Sequence, residues 1–175
     1  MKRFVSFAAL VLSLVMVLSL AACGGDKPTQ EPAGDNYSTS TTTDTKKVDL
    51  AAVRTQIIDQ CQITGNGDVE TDGLSRLYGI SADQVASSAS FSAPSGGAFP
   101  QEIVMVEAKD EAAAADIQAK LESRLKGIAD QAASYDPESL ALAEKCKVVT
   151  SGVYVGMFFS AQYDTMVSIF QEAVA

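Results

Sequence analysis

The sequence predicts an α+β domain over residues 48–175, a small antiparallel sheet covered by helices on one face as a two-layer sandwich. Three observations predict it. Apolar residues recur at spacings of three and four in several stretches, which marks helices with one buried stripe. Between them lie short runs rich in branched and aromatic residues, which read as strands. The strand runs come in pairs with short links, and such links favour antiparallel pairing over crossover connections. In broad order the elements are helix, strand, strand, helix, strand, strand, helix.

The first helix spans residues 48–61. It places Leu50, Val53, Ile57 and Cys61 on one face, with Asp49 as N-cap. Gly65 and Gly67 break the chain. Asp72 is expected to cap a short helical turn that ends at Gly79 as a left-handed stop, with Ile80 packing behind it. Ser81-Ala82-Asp83 opens another turn. Residues 86–93 read as a weak edge strand, and Pro94-Ser95-Gly96-Gly97 as a loop. Residues 102–108, EIVMVEA, make a stronger strand. Asp110 then caps a long helix whose Ile117, Leu121, Leu125, Ile128 and Ala132 form one stripe. Asp136-Pro137-Glu138 restarts a helix to about Lys145, with Pro in its first turn. A hairpin around Gly152 follows, and its second arm, VYVGMFFS, is apolar enough to be the central strand. A last helix, 162–174, turns Met166, Ile169, Phe170 and Val174 inward.

The 47 residues before this domain have a different character. Lys2 and Arg3 precede an apolar run over residues 4–20, broken only by serines. Ala21 and Ala22 then precede Cys23. A positive start, an apolar middle and small residues at the cut make a secretory signal peptide. The ending Leu20-Ala21-Ala22-Cys23 resembles the lipobox of bacterial lipoproteins, with cleavage between Ala22 and Cys23. Cysteine is required there because its sulfur accepts the diacylglyceryl thioether. An uncleaved spanning helix and a plain secreted protein cut elsewhere are the competing readings; the run falls just short of the usual span of about 20 residues, and the small-residue cut alone would allow the second. Residues 23–47 are dominated by Gly, Pro, Ser, Thr and Asp, with Tyr37 the only large apolar side chain. They are expected to form a disordered tether with a reach on the order of 25 to 30 Å.

Charge narrows the partners. The chain carries 13 basic and 22 acidic residues, and loss of residues 1–22 leaves a formal charge of −11. Such a surface repels nucleic acid, which is excluded as a partner. The chain has no His, so it lacks the usual neutral-pH proton shuttle and the commonest metal ligand. No Gly-x-Ser-x-Gly, phosphate-binding Gly loop or zinc-ligand spacing occurs, and no cofactor is expected. Cys61 and Cys146 are candidates for a disulfide, since thiols outside the cytoplasm tend to oxidise. A bridge would add roughly 3 to 5 kcal/mol if unstrained; two separate buried thiols are the alternative. Asp68, Glu70 and Asp72 fall at calcium-loop positions. The twelfth position is Gly79 where a bidentate Glu belongs, and the ninth is Arg76, so an acidic loop before a capped turn explains them as well. Glu102, Glu107, Asp110 and Glu111 flank a strand end and a helix start. Paired carboxylates can hydrolyse glycosides, but capping and the helix dipole already account for Asp110 and Glu111. No aromatic platform for sugar stands out.

Several stretches are familiar as a set. They are Val48-Asp49-Leu50, Leu77-Tyr78-Gly79-Ile80, the run from Glu102 to Asp110, Leu121-Glu122-Ser123-Arg124-Leu125, Tyr135-Asp136-Pro137-Glu138 and Gly152-Val153-Tyr154-Val155. Together they resemble the lipoprotein family of Gram-positive bacteria catalogued as domain of unknown function 4358, over residues 48 to about 172. The resemblance implies a lipid-anchored, extracytoplasmic placement. It carries over no catalytic residues, and Cys61 and Cys146 are not part of its pattern. The expectation is therefore a non-enzymatic domain held to the membrane through lipid on Cys23, binding an envelope protein or a cell-wall component. A small-molecule or ion binder serving a transport system is the alternative, and a carboxylate-based hydrolase a third.

Overall fold

A computed structural model describes residues 47–175. The expected signal peptide, the cut between Ala22 and Cys23, lipidation of Cys23 and the tether up to residue 46 lie outside the described residues.

The elements are α1 (Leu50–Gln60), β1 (Gly67–Asp68), α2 (Thr71–Tyr78), a 3-10 turn (Ala82–Gln84), β2 (Val85–Ser88), β3 (Phe91–Ala93), β4 (Gln101–Ala108), α3 (Glu111–Ala132), α4 (Pro137–Lys145), β5 (Val149–Ser151), β6 (Tyr154–Phe159) and α5 (Tyr163–Val174). The strands form one antiparallel sheet in the order β1-β3-β4-β6-β5, with β2 also paired to β4. The α+β class and the antiparallel sheet are as expected.

The helix ends follow their caps. Asp49 Oδ1 accepts from the N–H groups of Ala51 and Ala52 at 3.0 and 3.1 Å. Asp110 Oδ1 accepts from Ala113 N–H at 2.8 Å. Gly79, at φ 70°, takes the left-handed stop of α2, and Ile80 behind it is fully buried. Asp72 differs from expectation. The helix begins two residues earlier than such a cap implies, at Thr71, and the Asp72 carboxylate accepts from Gly73 N–H at 2.9 Å from within the first turn.

The helices cover both faces of the sheet, not one. On one face Val104, Val106, Val155, Met157 and Phe159 pack with α2, α3 and α4. On the other, Ile103, Met105, Tyr154 and Phe158 pack with α1 and α5. The cause is in the central pair. Residues 102–106 of β4 and all of β6 are buried, and a strand apolar on both sides needs cover on both. Each fully buried Ile, Leu or Phe adds about 1.5 to 3 kcal/mol, so both layers contribute substantially.

The expected edge strand 86–93 is two short strands on the same side of β4. They break at Ala89-Ser90, where Ser90 Oγ accepts from Met105 N–H at 3.1 Å. The serine side chain replaces a ladder bond at the break, and Ser90 is nearly fully buried. Among the described residues, no helix is long and apolar enough to cross a membrane.

Candidate functional site

An open cleft of about 950 Å³ lies at one end of the sheet. Four separate segments wall it: the turn 61–65 after α1, the loop 94–97 before β4, one face of α4, and the turn 159–162 between β6 and α5. On α4 the lining residues include Glu138, Ala141, Leu142 and Lys145, the three-and-four spacing of a single helical face.

Side-chain hydrogen bonds knit these walls together. Ser160 Oγ donates to Gln101 Oε1 at 2.7 Å, and Gln101 Nε2 donates to the Pro94 carbonyl at 2.9 Å. Gln162 N–H donates to Ser160 Oγ at 3.2 Å, while its Nε2 donates to the Cys61 carbonyl at 3.0 Å. Ser95 Oγ accepts from Gly97 N–H at 3.0 Å and donates to the Phe99 carbonyl. Gln62, at φ 51°, is the one non-glycine residue with positive φ among the described residues. Such backbone is sparsely populated and concentrates at functional sites.

The charged groups of the cleft are mostly engaged. Asp136 caps α4, accepting from Ser139 N–H at 3.0 Å and from Ser139 Oγ at 2.7 Å. These bonds, the backbone one first, hold its carboxyl below the usual carboxylate range. Lys145 Nζ bonds Asp164 Oδ2 at 2.7 Å, which raises the lysine pKa. Glu138 is exposed at the mouth. The cleft thus offers amides, hydroxyls and one uncommitted carboxylate over an apolar floor that includes Leu142 and Phe159.

The family model described as Domain of unknown function (DUF4358) matches residues 59–160, more than half of the chain. The chain belongs to this family. The match runs from the end of α1 through β6, so it takes in the whole sheet and nearly all of the cleft wall. No curated protein and no solved structure gives a significant match.

The DUF4358 domain does not gather the other residues singled out from sequence. Cys61 and Cys146 are free, buried thiols. They belong to separate apolar clusters, Cys61 on the α1–α5 face and Cys146 on the α3–α4 face. The sheet between them counts against the bridge. Burial raises the pKa of both thiols, which keeps them protonated and unreactive. The calcium candidates are likewise dispersed: Asp68, in β1, pairs with Arg54, and Asp72 sits in α2 on Gly73 N–H. The expected loop is a strand followed by a helix, which cannot wrap a cation. No group of three or more His, Cys, Asp or Glu side chains suited to a metal occurs among the described residues.

The four carboxylates near β4 also fail to converge. Glu102 and Glu107 fall on opposite faces of the strand by its two-residue period. Glu107 accepts from Ser87 Oγ at 2.7 Å. Glu102 is buried and accepts from Arg124 Nε at 3.0 Å and Nη2 at 2.5 Å. Tyr78 lies beside this pair; burial, then the Glu102 charge, pushes its pKa well above the ordinary tyrosine value. Tyr135 belongs to one of the stretches that carry the family resemblance, but nothing in the sequence marked it as an exposed aromatic platform. It is 64% exposed, its ring stacked on Phe99 with centroids 6.4 Å apart.

Proposed function

We propose that this protein is an extracytoplasmic lipoprotein, anchored through Cys23, whose DUF4358 domain is a non-catalytic binding module at the cell envelope. The anchor rests on the signal-peptide pattern ending in Leu20-Ala21-Ala22-Cys23. The binding role rests on one observation, the four-walled cleft whose polar side chains are held in place by one another. A preformed concavity with a few fixed polar groups is the usual form of a ligand site, and about 950 Å³ is at the upper end of the common range. Catalysis is disfavoured because Ser139, the best-placed hydroxyl, spends its proton on the Asp136 cap. Asp136, the carboxylate that accepts from it, is held below the usual carboxylate range and is too weak a base to activate it.

Gly97 provides the test of binding. A Cβ built there meets Ser95 Oγ at 3.5 Å and Ser139 Oγ at 4.0 Å, ordinary contact distances. Gly97→Phe should therefore start its side chain without a clash, obstruct the cleft beside the 94–97 loop and leave the fold intact. The mature protein is expected to co-sediment with purified cell-envelope fragments, and Gly97→Phe to lose that association. Equal sedimentation of both proteins, or of neither, contradicts the reading. For the anchor, Cys23→Ser should move the protein from the membrane fraction to the medium; full retention in the membrane contradicts it.

A further inference from the structure

We infer that the cleft takes an uncharged oligosaccharide, with Tyr135 as the stacking platform at its edge. The inference rests on the cleft being the binding site and names the class of ligand.

Charge removes the alternatives first. The cleft's one cation, Lys145, is already bonded to Asp164. Anionic ligands therefore meet no free positive group there, and they approach a chain of net negative charge. Asp136 has both carboxylate oxygens bonded to Ser139. That leaves Glu138 alone, at the solvent-exposed mouth, where a single carboxylate holds a cation weakly.

The neutral groups remain, and they suit hydroxyls. A sugar hydroxyl donates one hydrogen bond and accepts up to two, so its partners must do both. Gln162 keeps its Oε1 acceptor and one N–H after bonding Cys61, and Gln101 keeps one N–H after bonding Pro94. Gln62 and Thr64 stand exposed on the wall formed by the turn 61–65. The Ser160–Gln101–Pro94 chain fixes its amide before any ligand arrives, which lowers the ordering cost of binding.

A sugar ring also has an apolar C–H face, which an exposed aromatic ring can cover. Tyr135 is one of two large hydrophobic side chains exposed among the described residues. Its position is tied to the cleft twice. The next residue, Asp136, lines the cleft, and its ring lies on Phe99, whose carbonyl accepts from Ser95 of the lining loop. The two rings are near-parallel, 20° apart with centroids offset at 6.4 Å, and Tyr135 remains 64% exposed. An extended peptide is the main competitor. Peptides commonly add along a strand edge, whereas this cleft is walled chiefly by turns and a helix.

The test is a titration of the mature protein with two uncharged probes, chitotetraose and maltotetraose, followed by amide chemical shifts and tyrosine fluorescence. At least one probe should bind saturably, with shifts confined to residues 61–65, 94–101, 135–145 and 159–162. Tyr135→Ala should weaken binding roughly tenfold, as loss of an aromatic anchor commonly does. Gln162→Leu should also weaken it, and the melting temperature of Tyr135→Ala should stay near wild type, whereas Gln162→Leu also loses the bond to the Cys61 carbonyl and is read only if it remains folded at the titration temperature. No saturable response to either probe up to about 10 mM, or binding indifferent to Tyr135→Ala, overturns the inference. Should envelope association remain sensitive to Gly97→Phe while both sugars fail, the binding role stands and the ligand class is wrong. If both fail, both readings fall.

Discussion

Arg124 and Glu102 show what a buried charge requires. Glu102 is only 4% exposed, and its two oxygens meet the guanidinium fork of Arg124. Removing the arginine alone strands a carboxylate in the core. Arg124→Met should therefore cost about 3 kcal/mol in urea unfolding, and the double variant with Glu102→Leu should recover most of that loss. A single variant as stable as wild type would show that the pair is solvated. Tyr78 adds a pH signature. Its pKa is raised in the folded state, so its contribution is fully present below the unfolded value of about 10. Above that pH the unfolded chain ionises first, and stability falls as pH rises toward the folded value. Tyr78→Phe should flatten this alkaline decline in a series of unfolding curves. The thiols give a further readout. Cys61 and Cys146 should both stay unlabelled by a thiol reagent until the chain unfolds, and should then both react.

The central strands carry the architecture. At Gly156 in β6 an added Cβ would lie 2.8 Å from Phe158 Cε2 and 3.1 Å from Phe170 Cε1. These rings are fully buried and packed edge to face, so they cannot give way. Gly156→Ala should destabilise the domain by about 1 to 3 kcal/mol, read from the denaturation midpoint. At the β2–β3 break, Ser90→Ala should leave Met105 N–H without its partner and cost roughly 1 to 3 kcal/mol. Much of this level was legible in the sequence. The stripe from Ile117 to Ala132, the caps Asp49 and Asp110, the helix restart at Asp136-Pro137 and the stop at Gly79 all rest on local chemistry. The expected one-faced cover was wrong, although the unbroken apolar runs of β4 and β6 are what call for cover on both faces. An alternating pattern would have meant one covered face, and neither run alternates. The Ser90 break was not legible, because a buried serine that replaces a ladder bond looks like any other serine in a polar stretch.

At the scale of the whole molecule, the cleft was invisible in sequence because it is non-local. Its walls come from residues 61–65, 94–97, 136–145 and 159–162, none of which carries a motif alone. Tyr135 was hidden for the same reason: its value lies in standing exposed against Phe99, a residue 36 positions away. What the sequence does carry is the signal-peptide and lipobox pattern and the low-complexity composition of the expected tether, from which we propose an anchored, outward-facing placement. The central claim, that a binding cleft works at the envelope, is tested most directly by crosslinking in intact cells. A photoreactive phenylalanine replaces Glu138 at the cleft mouth, or Gln56 on the exposed side of α1 as a control. The account predicts a discrete adduct from position 138 and none from 56, with the 138 adduct abolished by Gly97→Phe. Equal labelling from both positions, or a 138 adduct that survives the obstructed cleft, would contradict it.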